Sequence, residues 1–291
     1  MREQQGYADV PGGRIWWKKL GAGSKTPLLT LHGGPGAGHN YLLSLAELAD
    51  ERPVIFYDQL GCGRADSPDD ETVYTIARSV DEVDAVRKAL GLERIVLFGH
   101  SWGSVLAIEY LCQDRGIGVE KLILAGALAS VPQAAAGQQR LIDRLADGGG
   151  ERMRALEAAG QESSPEYAAL TQQFYDLHVC RRIPYPPEVQ ASFEIVVGSI
   201  AYRVMNGPNE FTITGVIKDW DRRADLGRID VPTLITTGEF DEISLECHET
   251  IRDGIARSQL QIFPGASHMV MNESPDAYVA AVRTFIDQAS A

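Results

Sequence analysis

The sequence has few cysteines and no long hydrophobic run. Its 291 residues include four cysteines, far apart and without the spacing of metal ligands: Cys62, Cys112, Cys180 and Cys247. We predict unpaired thiols in a reducing compartment, with two disulfides as the alternative. No apolar run approaches the ~20 residues that span a bilayer, and the first residues lack the apolar stretch of a secretion signal. These absences predict a cytoplasmic protein that is not embedded in a membrane.

Positive charge is also scarce, because 27 Lys and Arg stand against 40 Asp and Glu, a formal net charge of -13. This excess disfavours nucleic acid and anionic membranes as partners, since both would repel it. It is compatible with a cationic small-molecule substrate, although many proteins are acidic for solubility alone. Hydrophobic residues make up 44% of the chain, enough to bury the core of one large domain or of a domain with an insertion.

A strand, a tight turn and a helix are predicted in succession around residue 101. Residues 95–98 are an apolar run typical of a buried strand, and residues 105–111 carry apolar positions typical of a helix. Between them Gly99-His-Ser-Trp-Gly103 matches G-x-S-x-G in the context that this motif requires. The glycines leave room for a strained turn that pushes the Ser101 hydroxyl out. We predict that Ser101 is a nucleophile, with a chance Gly-Ser turn as the alternative.

Strands and helices alternate along much of the chain, which predicts a mainly parallel sheet covered by helices on both faces. Strands are expected near 14–20, 27–31, 53–57, 95–98, 121–125, 232–237 and 260–263, and helices near 75–90 and 276–286. The alternation stops between about residues 131 and 224, where 166–179 has a helical pattern. We predict an α/β core domain, 1–130 and 225–291, with an inserted helical cap, 131–224.

Three groups suited to nucleophilic catalysis follow predicted strands in the order Ser, Asp, His. Ser101, Asp241 and His268 each lie just past a strand, and the carboxyl ends of parallel strands share the edge where ligands bind. A serine hydroxyl needs a base within hydrogen-bond reach, and the base needs an orienting acid. Glu239 and Glu242 flank Asp241 and are alternative acids.

The remaining histidines are predicted to have structural or surface positions. His32 and His100 lie inside motifs and are expected to hold loop geometry. Three others lie in helical or loop stretches and are expected at the surface: His39, His178 and His248. Asp58 also ends a strand, but it precedes the serine in the chain.

A glycine-rich segment, His32-Gly-Gly-Pro-Gly36, follows the second predicted strand. Such a segment can bring its backbone close to a ligand because no Cβ intervenes. Its position ahead of G-x-S-x-G is where this class of hydrolase supplies one oxyanion-hole N–H, the other coming from the residue after the nucleophile. An ordinary loop is the alternative.

Six pieces of sequence together resemble the proline iminopeptidase (prolyl aminopeptidase) family of α/β-hydrolases. They span nearly the whole chain: His32-Gly-Gly-Pro-Gly36, Tyr57-Asp-Gln-Leu-Gly-Cys-Gly63, Gly99-His-Ser-Trp-Gly103, Asn206-Gly-Pro-Asn-Glu-Phe211, Gly238-Glu-Phe-Asp-Glu242 and Ser267-His-Met269. The first and third are widespread among hydrolases, whereas the piece that begins at Asn206 is specific because it lies in the predicted cap. Two departures, Ser104 in place of a further glycine and a long Gly63-Arg-Ala-Asp-Ser67, are expected to affect the pocket mouth only.

The resemblance implies a serine hydrolase that releases an N-terminal amino acid, proline in this family, from short peptides or amino-acid amides. It implies a nucleophile, a base and its acid partner at Ser101, His268 and Asp241. It also implies an oxyanion hole from the backbone N–H groups of Gly34 and Trp102.

The resemblance further implies that Glu210 and Glu242 bind the free α-amino group of the substrate. Two carboxylates near one ammonium neutralise it, and their mutual repulsion is relieved when the cation arrives. Taken alone, each glutamate would be read as a solvated charge or an arginine partner. No metal or organic cofactor is implied, and the oligomeric state stays open.

Two alternative functions remain at this stage. One is an amino-acid amidase or esterase with little peptide activity. The pocket formed by the predicted cap would decide between this function and a peptidase. The other is a non-catalytic ligand-binding or scaffolding protein on the same fold, because fold alone does not establish function.

Overall fold

The computed structural model describes residues 2–289 of the chain. These residues form a single sheet of eight strands. The strands are β1 Glu3–Val10, β2 Gly13–Leu20, β3 Leu28–Leu31, β4 Val54–Asp58, β5 Ile95–His100, β6 Val119–Ala125, β7 Thr233–Gly238 and β8 Ser258–Phe263. Their order is β1-β2-β4-β3-β5-β6-β7-β8. The hairpin β1–β2 and the pair β2–β4 are antiparallel, and the strands from β4 onward pair in parallel. This is the predicted α/β fold.

The central strands are mainly apolar because both of their faces are covered, and Asp58 and His100 lie at strand ends. Every residue of β3, β4 and β5 is buried. One apolar cluster lies on each face of the sheet, with Leu29 and Leu97 in one and Leu28 and Val96 in the other. Parallel strands packed in this way bring the loops that follow β5, β7 and β8 to one edge.

Helices cover both faces of the sheet. They are α1 Ile76–Leu90, α2 Trp102–Cys112, α8 Leu245–Gly254, α9 Val270–Glu273 and α10 Pro275–Asp287, with a 3₁₀ helix at Asn40–Asp50. The hydroxyl of Thr75 caps the start of α1, and Gly91 ends that helix with φ 62°, a left-handed conformation that favours glycine. Every residue of α2 is buried, as expected for a helix that is apolar all round.

Between β6 and β7 the chain forms five α-helices and no strand of the sheet, within the part of the chain that the structure describes. They are α3 Val131–Ile142, α4 Gly149–Ala158, α5 Pro165–His178, α6 Pro187–Val197 and α7 Ile200–Met205. Serine hydroxyls cap the first turns of α3, α5 and α7: Ser130, Ser164 and Ser199. None of the helices in residues 2–289 combines the length and apolar character needed to cross a membrane.

Two of the three histidines expected at the surface are buried, so that prediction is wrong for His39 and His248. The Nδ1 atom of His39 lies 2.7 Å from Oδ1 of Asp58. The Nε2 atom of His248 accepts the N–H of Ala127 at 2.9 Å. Burial is possible because each ring finds a polar partner, and those partners are far away in the sequence. The third, His178, is half-buried.

Candidate active site

Ser101 lies at the sharp turn between β5 and α2, with φ 55° and ψ -122°. A positive φ is uncommon for a residue other than glycine and indicates local strain. The turn is held because the Ser101 N–H donates to Ala125 O at 2.9 Å. A Cβ at Gly99 would lie 2.3 Å from the Gly103 oxygen, and one at Gly103 would lie 2.1 Å from a backbone oxygen of β3. Both glycines of the motif are therefore required by packing.

Asp241 and His268 form a buried pair in the loops after β7 and β8. The Nδ1–H of His268 donates to Oδ1 of Asp241 at 2.8 Å. The same carboxylate accepts the N–H of Ile243 at 2.8 Å and the hydroxyl of Thr237 at 3.1 Å. Burial opposes ionisation of Asp241, but the neighbouring His268 keeps the pKa of Asp241 below its usual value. Asp241 thus fixes the ring so that Nε2 faces the cavity.

Of the three other acids weighed from the sequence, Glu239 and Asp58 lie elsewhere, and Glu242 lies beside Nε2 of His268. Glu239 is exposed and its carboxylate accepts the N–H of Gly265 at 2.9 Å. Asp58 accepts hydrogen bonds from His39 and from the N–H of Arg64. Neither carboxylate is bonded to His268.

The glycine-rich loop after β3 presents a free backbone N–H at Gly34. Its φ of 112° and a Cβ that would lie 2.4 Å from Gly36 N both require glycine there. Within residues 2–289 no acceptor is bonded to the N–H of Gly34 or to that of Trp102. The preceding N–H, that of Gly33, donates to the hydroxyl of Tyr41 at 2.6 Å. Two donors next to Ser101 are thus available to a ligand.

Two side chains not singled out from the sequence, Gln59 and Tyr41, support this loop. Gln59 donates through Nε2 to His32 O at 3.0 Å and accepts the indole N–H of Trp102 at 2.8 Å. The Tyr41 hydroxyl donates to Nδ1 of His100 at 2.9 Å, and His100 Nε2–H donates to His268 O at 3.1 Å. Nε2 of His32 accepts the N–H of Gln59 at 3.1 Å, and this bond and that of His100 confirm the loop-holding roles expected of the two rings.

Glu210 and Glu242 border the cavity that Ser101 and His268 line. The Tyr202 hydroxyl donates to Oε1 of Glu210 at 2.8 Å, and Nε2 of Gln138 donates to Oε2 of Glu242 at 3.3 Å. Burial raises the pKa of Glu210. Burial also raises the pKa of Glu242, and the neighbouring carboxyl groups reinforce this effect, whereas the positive charge of His268 opposes it and favours the carboxylate. Two carboxyl groups that resist ionisation together favour a cation between them.

His268 has a strongly acidic environment. Burial favours its neutral form, but the carboxylates of Asp241 and Glu242 outweigh burial and raise the pKa of His268 to about 9. Its Nε2 atom lies 3.6 Å from Oε1 of Glu242. Among the described residues no hydrogen bond joins the Ser101 hydroxyl to His268.

The cavity has a large chamber and a small one. The large chamber has a volume of about 400 Å³ and an aromatic wall from the insertion: Tyr175, Tyr185, Phe193 and Tyr202. The small chamber, about 30 Å³, has mostly apolar walls: Trp102, Val105, Leu128, Ile213 and Ile217. Ser101, Glu210 and Glu242 line both chambers. In residues 2–289 no group of His, Cys, Asp and Glu is arranged to hold a metal ion.

The whole chain is similar to known hydrolases. Residues 26–275 match the α/β hydrolase fold family. A proline iminopeptidase of Saccharolobus solfataricus is 41% identical over 98% of this chain and 93% of its own length. One of Thermoplasma volcanium is 42% identical over 99% and 98%. Among solved structures, VinJ has a TM-score of 0.93 at 31% identity, covering 98% of each chain, and the proline iminopeptidase of Mycobacterium smegmatis has 0.90 at 32%, covering 97% of each.

Proposed function

Because the chain belongs to the proline iminopeptidase family of α/β-hydrolases, we propose that it is a serine hydrolase that releases N-terminal proline from short peptides or amino-acid amides. The main support in the structure is the cavity in which Ser101, His268 and two glutamates meet. A nucleophile, a base and an ammonium site in one cavity are what hydrolysis next to a free N-terminus requires.

The reaction divides into acylation and deacylation. Ser101 Oγ attacks the carbonyl carbon of the first residue while Nε2 of His268 takes the hydroxyl proton. The N–H groups of Gly34 and Trp102 stabilise the oxyanion, and His268 then passes its proton to the leaving amine. In deacylation, water attacks the acyl carbon, gives a proton to His268, and Ser101 recovers its proton as the amino acid departs. Asp241 holds the Nδ1–H throughout.

The substrate's α-ammonium lies between Glu210 and Glu242 in this proposal. The large aromatic chamber, about 400 Å³, accepts the rest of the substrate, whereas the small chamber, about 30 Å³, is too small for a whole prolyl side chain. The cap, residues 131–224, supplies Glu210 and the aromatic wall, whereas the core, residues 1–130 and 225–291, supplies Ser101 and Glu242. Recognition of the amine is therefore shared between the cap and the core, whereas the nucleophile belongs to the core.

We also place the protein in a reducing compartment such as the cytoplasm. The support is that its four cysteines are unpaired and buried. Disulfides persist mainly in oxidising compartments, so free thiols fit a reducing one.

The amino-group site is tested with matched substrates that differ only in the charge at the N-terminus. We expect wild type to cleave prolyl-β-naphthylamide and to reject N-acetyl-prolyl-β-naphthylamide, because a neutral amide leaves the buried carboxyl groups uncompensated. Glu210→Gln keeps size and hydrogen bonding but removes charge, so kcat/KM for the free amine should fall roughly 10- to 100-fold. Glu239→Gln is the matched control, since that glutamate is exposed and outside the cavity.

If wild type cleaves the acetylated and free substrates at equal rates, the aminopeptidase function fails and an esterase or general amidase takes its place.

A further inference from the structure

Glu242 faces the nitrogen of His268 that must accept the proton of Ser101. The other ring nitrogen, Nδ1, is bonded to Asp241 at 2.8 Å, so it is not available. Nε2 lies 3.6 Å from Oε1 of Glu242, and each of these two side chains is 3% exposed. Within residues 2–289, the Ser101 hydroxyl has no hydrogen bond to His268. In this structure the base therefore contacts a carboxyl group, and among the described residues it is not hydrogen-bonded to Ser101.

The position of Glu242 is fixed by groups from two helices of the insertion. Its backbone N–H donates to His178 O at the end of α5 at 3.1 Å. Its Oε2 accepts from Nε2 of Gln138 on α3 at 3.3 Å. Because Oε2 is held by Gln138, the oxygen left to face His268 is Oε1. The contact between Glu242 and the base is thus built into the fold.

We propose that Glu242 competes with Ser101 for Nε2 of His268, and that the ammonium group of the substrate ends this competition and so activates the base. The proposal rests on the amino-group site given above, with the ammonium between Glu210 and Glu242. It gives Glu242 a second role, since the residue that binds the amine also controls whether His268 is protonated.

The physical reason is electrostatic. A buried carboxylate stabilises a proton on Nε2, and a protonated imidazole cannot take a proton from Ser101. Asp241 and Glu242 raise the pKa of His268 to about 9, and Glu210 acts in the same direction. His100, whose ring centre is 4.5 Å away, adds no opposing positive charge because burial and the adjacent His268 lower the pKa of His100 to about 3.

An ammonium that enters beside Glu242 offsets this negative charge. His268 then holds its proton less tightly and releases it to bulk water. The cavity thus gains the positive charge of the ammonium and loses that of the imidazolium. Nε2 becomes a free acceptor for the Ser101 hydroxyl. A substrate without the ammonium leaves the base protonated even when it occupies the cavity. Selection for a free amine should therefore appear in kcat as well as in KM.

The kinetic test uses an ester without any amine, p-nitrophenyl acetate, so that amine binding cannot contribute. At pH 7 we expect Glu242→Gln to raise kcat/KM for this ester roughly 10-fold or more over wild type, since loss of a neighbouring opposite charge lowers a pKa by about 1–3 units. The acid limb of the pH profile should move to lower pH. Glu239→Gln is the matched control, because it removes a glutamate of the same loop whose exposed carboxylate is bonded to the N–H of Gly265 and not to His268. If Glu242→Gln is no faster than wild type on this ester, the proposal is wrong.

The direct test follows His268 by NMR in the Ser101→Ala protein with ¹⁵N-labelled histidine. L-prolinol supplies the ammonium but has no carbonyl to attack. Saturating prolinol should lower the pKa of His268 by about one unit or more. In Ser101→Ala/Glu242→Gln that pKa should already be low and should barely move. Prolinol that binds without changing the pKa of His268 overturns this proposal alone, whereas prolinol that does not bind overturns the amino-group site as well.

Discussion

At the scale of single residues, Asp241 and Glu239 show how two acids two positions apart acquire different roles. Asp241 is buried and bonded to His268, whereas Glu239 is exposed and bonded to a backbone N–H. Asp241→Asn should lower kcat roughly 10⁴-fold, because an amide at this position stabilises the wrong ring tautomer. Glu239→Gln should stay within a factor of about two.

Steady-state kinetics on a prolyl amide, with folding checked by circular dichroism, makes that comparison. A larger loss in Glu239→Gln than in Asp241→Asn would show that the acid has been placed two residues away from its true position.

The sequence predicted the reacting groups better than their supports. Chain order places Ser101, Asp241 and His268 after strands that share one edge, and the structure brings Asp241 and His268 to within 2.8 Å of each other. The supporting contacts of Gln59 and Gln138 depend on residues that are distant in the chain, so no local pattern could reveal them. The wrong surface assignment of His248 has the same origin, because its partner, the N–H of Ala127, is 121 positions away.

At the scale of elements, the end of α5 holds both loops that carry the candidate base and amino-group site. The carbonyl of His178 accepts the N–H groups of Glu242 and His268, each at 3.1 Å, and that of Val179 accepts the N–H of Met269 at 3.0 Å. A helix of the insertion thus fixes loops that follow β7 and β8. The cap boundary near residue 131 stays a prediction from the sequence, whereas this contact left no pattern in the sequence to predict it.

Glu273 in α9 joins the same two regions and offers a test of this coupling. Its carboxylate accepts the hydroxyl of Ser267 at 2.7 Å and the backbone N–H of Arg181. Glu273→Gln should reduce kcat roughly 10-fold with little change in KM, because the His268 loop loses its anchor and small misplacements of catalytic groups are costly. Asp276→Asn, an exposed acid at the start of α10, is the control. An unchanged kcat in Glu273→Gln would mean that α5 alone holds the loop.

At the scale of the whole molecule, Glu109 links α2 to the segment that returns from the insertion. Its carboxylate accepts from Nε and Nη2 of Arg222, each at 2.7 Å, and from the indole N–H of Trp220 at 2.9 Å. These bonds, Arg222 first, lower the pKa of Glu109 to about 2 from its usual 4.5. A carboxylate whose pKa is lower in the folded than in the unfolded protein stabilises the fold at any pH above the unfolded-state pKa. This contribution is lost as the pH falls from 4.5 towards 2.

Glu109→Gln should therefore lower Tm by several degrees at pH 7, and the difference from wild type should shrink between pH 4.5 and 2. Glu246→Gln removes an exposed pair with Arg140 and should shift Tm by about one degree or less. Thermal unfolding of the three proteins across this pH range provides the measurement. A difference that stays constant down to pH 2 would show that charge at Glu109 is not what stabilises the link.

Much of the architecture was predictable because the central strands and flanking helices carry strong periodic patterns. Strand β1 was missed because it is an edge strand with mostly exposed residues, which gives no apolar run to detect. The strand order was also out of reach, since it depends on pairing between segments such as β2 and β4 that are far apart in sequence. Periodic sequence patterns thus predict individual strands and helices, whereas the order of strands in the sheet depends on pairing between distant segments.

The burial of all four cysteines has a practical consequence for labelling. Burial raises the pKa of each thiol, to about 11 for Cys112 and Cys180, so thiolate for attack on a maleimide is scarce. Val197 lines the rim of the large chamber and is 89% exposed. A cysteine introduced at that position would carry a fluorophore or spin probe selectively at the cavity mouth, without first removing any native cysteine.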